Sequence, residues 1–164
     1  MYVEICEDCL KNDILCEDCD EKLKNGDISE LEISILRILE QSEDEELKFI
    51  KAIGEGNLVV IVTTGSDMGK IIGKGGKNVK LISQELNKRI RIINNKVNFE
   101  KLISDVLDPV KILGVSKVFG KNDAEKYKVR IPKSEEWKLP ESIDIINNII
   151  KELSNEDFEI VIEK

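Results

Sequence analysis

The chain contains no histidine. That removes the usual general base and the commonest metal ligand, so the chain reads as non-enzymatic. Aromatics make up only 4% of it, and residues 57–97 hold none. Modules that read single strands on aromatic platforms, such as RRM and OB folds, are therefore set aside for that stretch. No apolar run approaches membrane-span length. The N-terminus is acidic where a signal peptide is basic, so a cytoplasmic location is expected.

What is present suits a soluble globular protein. The chain has 164 residues, enough for one ordinary domain or two small ones, with 41% hydrophobic and 35% charged residues. The net charge of −8 hides a split. Residues 1–56 carry 17 acids and 6 bases, residues 57–97 carry 2 acids and 8 bases, and residues 98–164 carry 14 acids and 11 bases. Binding responds to local field, so the basic island matters more than the total.

All four cysteines fall within the first 19 residues, as Cys6-Glu-Asp-Cys9 and Cys16-Glu-Asp-Cys19. Two CxxC pairs can each wrap one side of a tetrahedral ion, and four thiolates leave no open position for water. The pattern predicts one structural zinc on Cys6, Cys9, Cys16 and Cys19. Disulfides, free thiols and an iron–sulfur site are the other readings. Residues 1–21 hold eight acids and one lysine, so this module should repel nucleic acid. It is assigned to folding or to a protein partner, with a solvated face as the plainer reading of the acids.

Along the rest of the chain, residues 22–26 read as a short linker. Residues 29–40 read as a helix, with Ser29 and Glu32 as a capping box and Leu31, Ile35, Ile38 and Leu39 on one face. An acidic run follows at 43–46. Leu47, Phe49, Lys51 and Ile53 alternate as a strand, residues 54–57 turn, and Leu58–Thr63 form a buried strand. A short helix capped by Ser66 or Asp67 runs to Ile72. A second helix spans 77–86, and Ile90, Ile92 and Ile93 mark a strand.

Between those two helices stands Gly73-Lys74-Gly75-Gly76. Glycines at i and i+3 allow close backbone approach, and the helix start behind them offers unpaired N–H groups. Those are the ingredients of a phosphate clamp. The alternative is a plain helical corner with Gly73 as C-cap and solvated lysines. Walker and dinucleotide fingerprints fail on spacing.

The order helix, strand, strand, helix, glycine turn, helix, strand resembles a type II KH domain over residues 27–96. Ile71, Ile72, Gly73, Lys74, Gly75, Gly76, Val79 and Ile82 stand where that family has its Ile-Gly-x-x-Gly-x-x-Ile core. Such domains clamp about four nucleotides of single-stranded RNA. The resemblance implies phosphates against Gly73 and Gly76, amides of Gly75 and Gly76 as donors, and charge from Lys70, Lys74, Lys77 and Lys80. Ile72, Val79 and Ile92 would floor the base groove, with Arg91 at its edge.

Residues 97–164 give the order again: a helix from Phe99, a hairpin of 110–119 and 126–131, a loop at 133–139, a helix after Pro140, and a strand at Phe158–Ile162. This reads as a degenerate KH-like unit lacking the glycine turn, with an unrelated α+β domain as the alternative. Trp137 in that loop reads either as a base-stacking residue or, more often for tryptophan, as a core or interface anchor.

Tandem units of this kind resemble the RNA-binding part of the NusA transcription factors, especially short archaeal members. Residues 109–115 also look like the link and first strand of a second NusA KH unit. The cysteine module is not part of the core NusA pattern. The expectation is a zinc knuckle at 1–26, a KH domain at 27–96 and a degenerate unit at 97–164, acting in transcription elongation or termination, or in RNA metabolism. A protein adaptor is the rival reading, with the acidic module docking RNA polymerase or ribosome.

Overall fold

The computed structural model describes residues 2–42 and 47–164. The acidic run at 43–46 lies outside the described residues. The fold is α+β, with two three-stranded sheets. The chain divides into two units: Met1–Ile53 with Val59–Lys96, and Gly54–Leu58 with Val97–Lys164.

The first unit opens with α1 (Glu7–Lys11), α2 (Glu17–Lys24) and α3 (Glu30–Glu40). The linker expected at 22–26 is thus partly helix. Cys16 caps α2 by accepting the Cys19 amide, and the helix continues until Gly26 at φ 81° breaks it. The α3 capping box is present in full. Glu32 does more than cap. It is 6% exposed, takes the Ser29 amide on one oxygen at 2.9 Å and the Ala52 amide on the other at 3.0 Å. One buried carboxylate so ties the start of α3 to the sheet.

Strands β1 (Lys51–Glu55) and β2 (Leu58–Thr63) follow, then α4 (Gly65–Ile72), α5 (Lys77–Leu86) and β3 (Arg89–Asn94). The first strand starts later than its alternation suggests. Phe49 is nonetheless fully buried, and the Val3 amide donates to its carbonyl at 3.0 Å. The sheet order β1-β2-β3 puts β2 in the centre. Its Leu58, Val59, Val60 and Ile61 are fully buried, as a continuous apolar run requires when both faces are covered. Ile50 donates to Val62, so the start of β1 meets the end of β2 and the pair is antiparallel. Asn95 donates to Thr63, so β2 and β3 end together and run parallel. Ile5, Cys9 and Cys19 belong to the same hydrophobic cluster as Ile35, Ile61, Ile71 and Ile82. The cysteine segment therefore shares the core of the first sheet.

The second unit holds α6 (Phe99–Leu107), β4 (Gly114–Phe119), β5 (Glu125–Pro132), a 3-10 segment (Lys133–Lys138), α7 (Ile143–Ser154) and β6 (Phe158–Glu163). Residues 110–113, expected in the hairpin, precede its first strand. Strand β4 pairs β5 antiparallel, with Val115 opposite Val129, and β5 pairs β6 parallel, with Val129 opposite Ile160. The order is again one, two, three, with the antiparallel pair first. Phe99 stacks on Tyr127 at 4.2 Å, and Val129, Ile131, Ile146, Ile149 and Ile150 are fully buried. Lys126, Lys128 and Arg130 alternate with these along β5 and pair with Glu159 and Glu163 of β6.

Candidate nucleic-acid interface and metal centre

Helix α4 is capped by Thr64, not by Ser66 or Asp67. Its hydroxyl accepts the Asp67 amide at 3.2 Å. Thr64 has the extended φ and ψ that an N-cap needs, whereas Ser66 and Asp67 already lie inside the helix. Asp67 turns inward, 9% exposed, and accepts from the Tyr2 hydroxyl at 2.7 Å and the Thr64 hydroxyl at 2.8 Å. The Tyr2 bond, then the Thr64 bond, hold its carboxyl below the usual range, and Lys70 adds to this. One of the two acids in the basic island is thereby occupied within the protein.

Helix α4 ends at Gly73, whose φ is 78°. Gly75 and Gly76 follow at 66° and 77°. An L side chain is disfavoured at each of these angles, so the chain reverses through three positive-φ glycines around one lysine. Gly73 donates to the Gly69 carbonyl and Gly76 to the Gly73 carbonyl at 3.0 Å, and Lys77 donates to Lys74. The Gly76 amide is thus engaged inside the turn. This corrects the expectation that it points at a ligand. Lys74 and Gly75 carry the two turn amides that none of these bonds uses. A Cβ on Gly75 would meet nothing within 4 Å, so the backbone there is open to close approach.

Asn78 fixes the turn, and the sequence reading missed it. It is 2% exposed, donates from its side chain to the Lys70 carbonyl at 2.9 Å and accepts from the Ser42 hydroxyl at 3.1 Å. Its position four residues before the buried Ile82 was the available signal, since both then lie on the inward face of α5. Among the described helices of eight residues or more, α5 alone lacks a side-chain cap, because its N-cap is Gly76. The side chains of Lys70, Lys74, Lys77 and Lys80 are exposed around this end. Ile72, Val79 and Ile92 are half-buried, and Val79 and Ile92 pack on the core. Arg91 is half-buried and donates to the Ile90 carbonyl at 3.2 Å.

The cysteines also converge. Their four sulfurs lie within 4.8 Å of one another, with Cys6 to Cys9 at 3.3 Å and Cys6 to Cys16 at 3.9 Å. A tetrahedron of sulfurs around zinc has edges of about 3.8 Å, from the ~2.3 Å Zn–S distance. The 3.3 Å separation is far beyond a disulfide bond of about 2.05 Å. The two CxxC turns serve each other: the Cys6 amide donates to the Cys19 sulfur and the Cys16 amide to the Cys9 sulfur, at 3.4 and 3.1 Å. The Cys19 amide and the other sulfurs bring the Cys16 thiol down to about 7. The Cys16 amide also pulls on Cys9, but burial and the neighbouring sulfurs outweigh it and push that thiol up to about 12. Arg37 of α3 donates to the Cys9 carbonyl at 3.0 Å, anchoring the cluster to the sheet unit. The donor set, its spacing and its N–H···S bonds fit a four-thiolate ion.

Residues 19–95 match the family model of the NusA-like first KH domain. The match begins at Cys19 and leaves the other three cysteines outside. The chain is also 32% identical over 79 residues to the "Probable transcription termination protein NusA" of Methanococcus vannielii, which covers 48% of this chain. It spans 45% of that relative's length. The crystal structure of APE1850 superposes with a TM-score of 0.52 at 16% identity, covering 71% of this chain and 88% of the other. That likeness concerns the fold. No helix among the described residues is long and apolar enough to cross a membrane. Residues 19–95 are thus similar to a NusA-like first KH domain.

Proposed function

We propose that this chain is a non-enzymatic, single-stranded RNA-binding protein acting in transcription elongation or termination, or in RNA metabolism, in the cytoplasm. The observation that carries the reading is the glycine turn, with three positive-φ glycines, two unused amides and an uncapped helix start among exposed lysines. Lys74 and Gly75 donate their amides to a phosphate, Gly73 and Gly76 shape the turn, and Lys70, Lys74, Lys77 and Lys80 add charge. Ile72, Val79 and Ile92 form the base groove, with Arg91 at its edge. The working parts are a zinc module at 1–26, the KH domain at 27–96 and a degenerate KH-like unit at 97–164.

Cys6, Cys9, Cys16 and Cys19 hold one zinc. Bound there, the metal supplies folding energy and no chemistry, since four protein ligands leave it closed. Titrating single-stranded RNA against increasing salt tests the function: affinity should fall steeply with salt, and a duplex of the same sequence should bind far less well.

A second reading is favoured by the exposed acids Glu7, Asp8, Glu17 and Asp18 beside the cysteines. In it the module docks a basic surface of RNA polymerase or ribosome, and the KH unit is scaffold. Absence of any RNA binding at low salt, with a partner held through residues 1–26, would select it.

A further inference from the structure

Trp137 is the chain's one tryptophan, and it is 79% exposed. This overturns the expectation that it anchors a core. The backbone beneath it is pinned. Glu135, two residues earlier, is 6% exposed, accepts the Lys111 amide at 3.1 Å and pairs with Lys138 at 2.6 Å. Lys133 pairs with Glu136 at 2.9 Å, and Leu139 donates to the Glu136 carbonyl. The segment is therefore a stiff short helix turned so that its one apolar side chain points to solvent. Lys138 stands 5.6 Å from the ring centre.

The segment occupies a telling place in the topology. It lies between β5 and α7, where the first unit carries α4 and the glycine turn between β2 and α5. The second unit has lost the backbone clamp and presents a flat ring with a cation instead. We propose that Trp137 is a second contact for single-stranded RNA, stacking one exposed base. The inference rests on the RNA-binding reading above. A nucleobase suits the site better than a protein surface for two reasons. Lys133–Lys138 offers no other apolar side chain, whereas protein docking patches are contiguous. Lys133 and Lys138 also bracket the ring in the chain, each paired with one carboxylate, and Lys138 stands against its face. A lone ring flanked by cations is the arrangement by which single strands are held without sequence preference.

Because Trp137 is unique, its own emission reports the contact. The full chain is titrated with unlabelled oligoadenylate, longer than the roughly four nucleotides one clamp covers. Stacking gives saturable quenching that weakens with salt. W137A should lose roughly five- to 150-fold in affinity, the range one stacked base is worth, and W137F should recover most of it. Circular dichroism should show both variants folded, since the ring supports nothing beneath it. RNA binding with unchanged tryptophan emission and normal W137A affinity would overturn this inference and leave the glycine clamp standing. Absence of binding by the wild type would overturn both.

Discussion

A methyl group on Gly73 would stand 2.9 Å from the side-chain amide of Asn78. Gly73 thus has two constraints, a positive φ and a packed neighbour, and that neighbour is itself held by Lys70 and Ser42. Gly75 has only the first, since nothing lies within 4 Å of its missing side chain. G73A should therefore destabilise by about 2–3 kcal/mol or more, and G75A by about 1 kcal/mol. Urea unfolding of the two variants checks the order. Equal losses would mean that Asn78 yields freely.

Asp67 makes stability pH-dependent in a known direction. Its carboxyl is depressed in the folded chain relative to its ordinary 3.8. The contribution is complete above the unfolded value and is lost as pH falls through the lower folded one. D67N should flatten the acid limb of a melting-temperature profile. Y2F removes the shortest bond to Asp67 and should lower stability near neutral pH by about 1 kcal/mol. An acid limb unchanged in D67N would show that other carboxylates dominate it.

Removing the metal should unfold more than the cysteine segment. Cys9 and Cys19 are buried in the cluster that also holds Ile35, Ile61 and Ile82. A chelator should lower the melting temperature of the first unit, and native mass spectrometry should show one zinc per chain. The C6S/C16S pair should lose that zinc. A chain that melts identically with and without chelator would contradict the assignment.

Glu32 bridges two amides 23 residues apart in sequence, at Ser29 and Ala52. E32A leaves the Ala52 amide buried and unpaired and the partly buried Ser29 amide without its partner. The loss should be about 2–4 kcal/mol, more than an ordinary cap removal of about 1 kcal/mol. S29A provides the comparison within the same capping box.

Features written in short sequence windows were the legible ones. The Ser29 and Glu32 box, the paired CxxC motifs and the glycine turn each depend on residues three or four apart. Thr64 was overlooked because Ser66 and Asp67 are equally good caps by type, and only backbone angles choose among them. The engagement of the Gly76 amide follows from how the turn closes, which glycine spacing does not specify. The last turn of α2, from residue 22, reads as a linker because its charged residues hide Leu23, which packs on the core. The exposure of Trp137, which removes the core option among its readings, was hidden for the opposite reason. Tryptophan usually seeks cover, and only the fold shows that buried Glu135 pins the segment the other way round.

The proposed function stands on the grip of the Gly73–Gly76 turn on single-stranded RNA. The most direct measurement is fluorescence anisotropy of a labelled single-stranded RNA with the wild type and with K74D/G75D, at low salt. Lys74 is exposed and Gly75 has open space around it, so the double variant should stay folded, with only the modest backbone strain of a positive φ. The wild type should bind in a salt-sensitive way, and the variant should lose that binding. Equal affinity in a folded variant would contradict it.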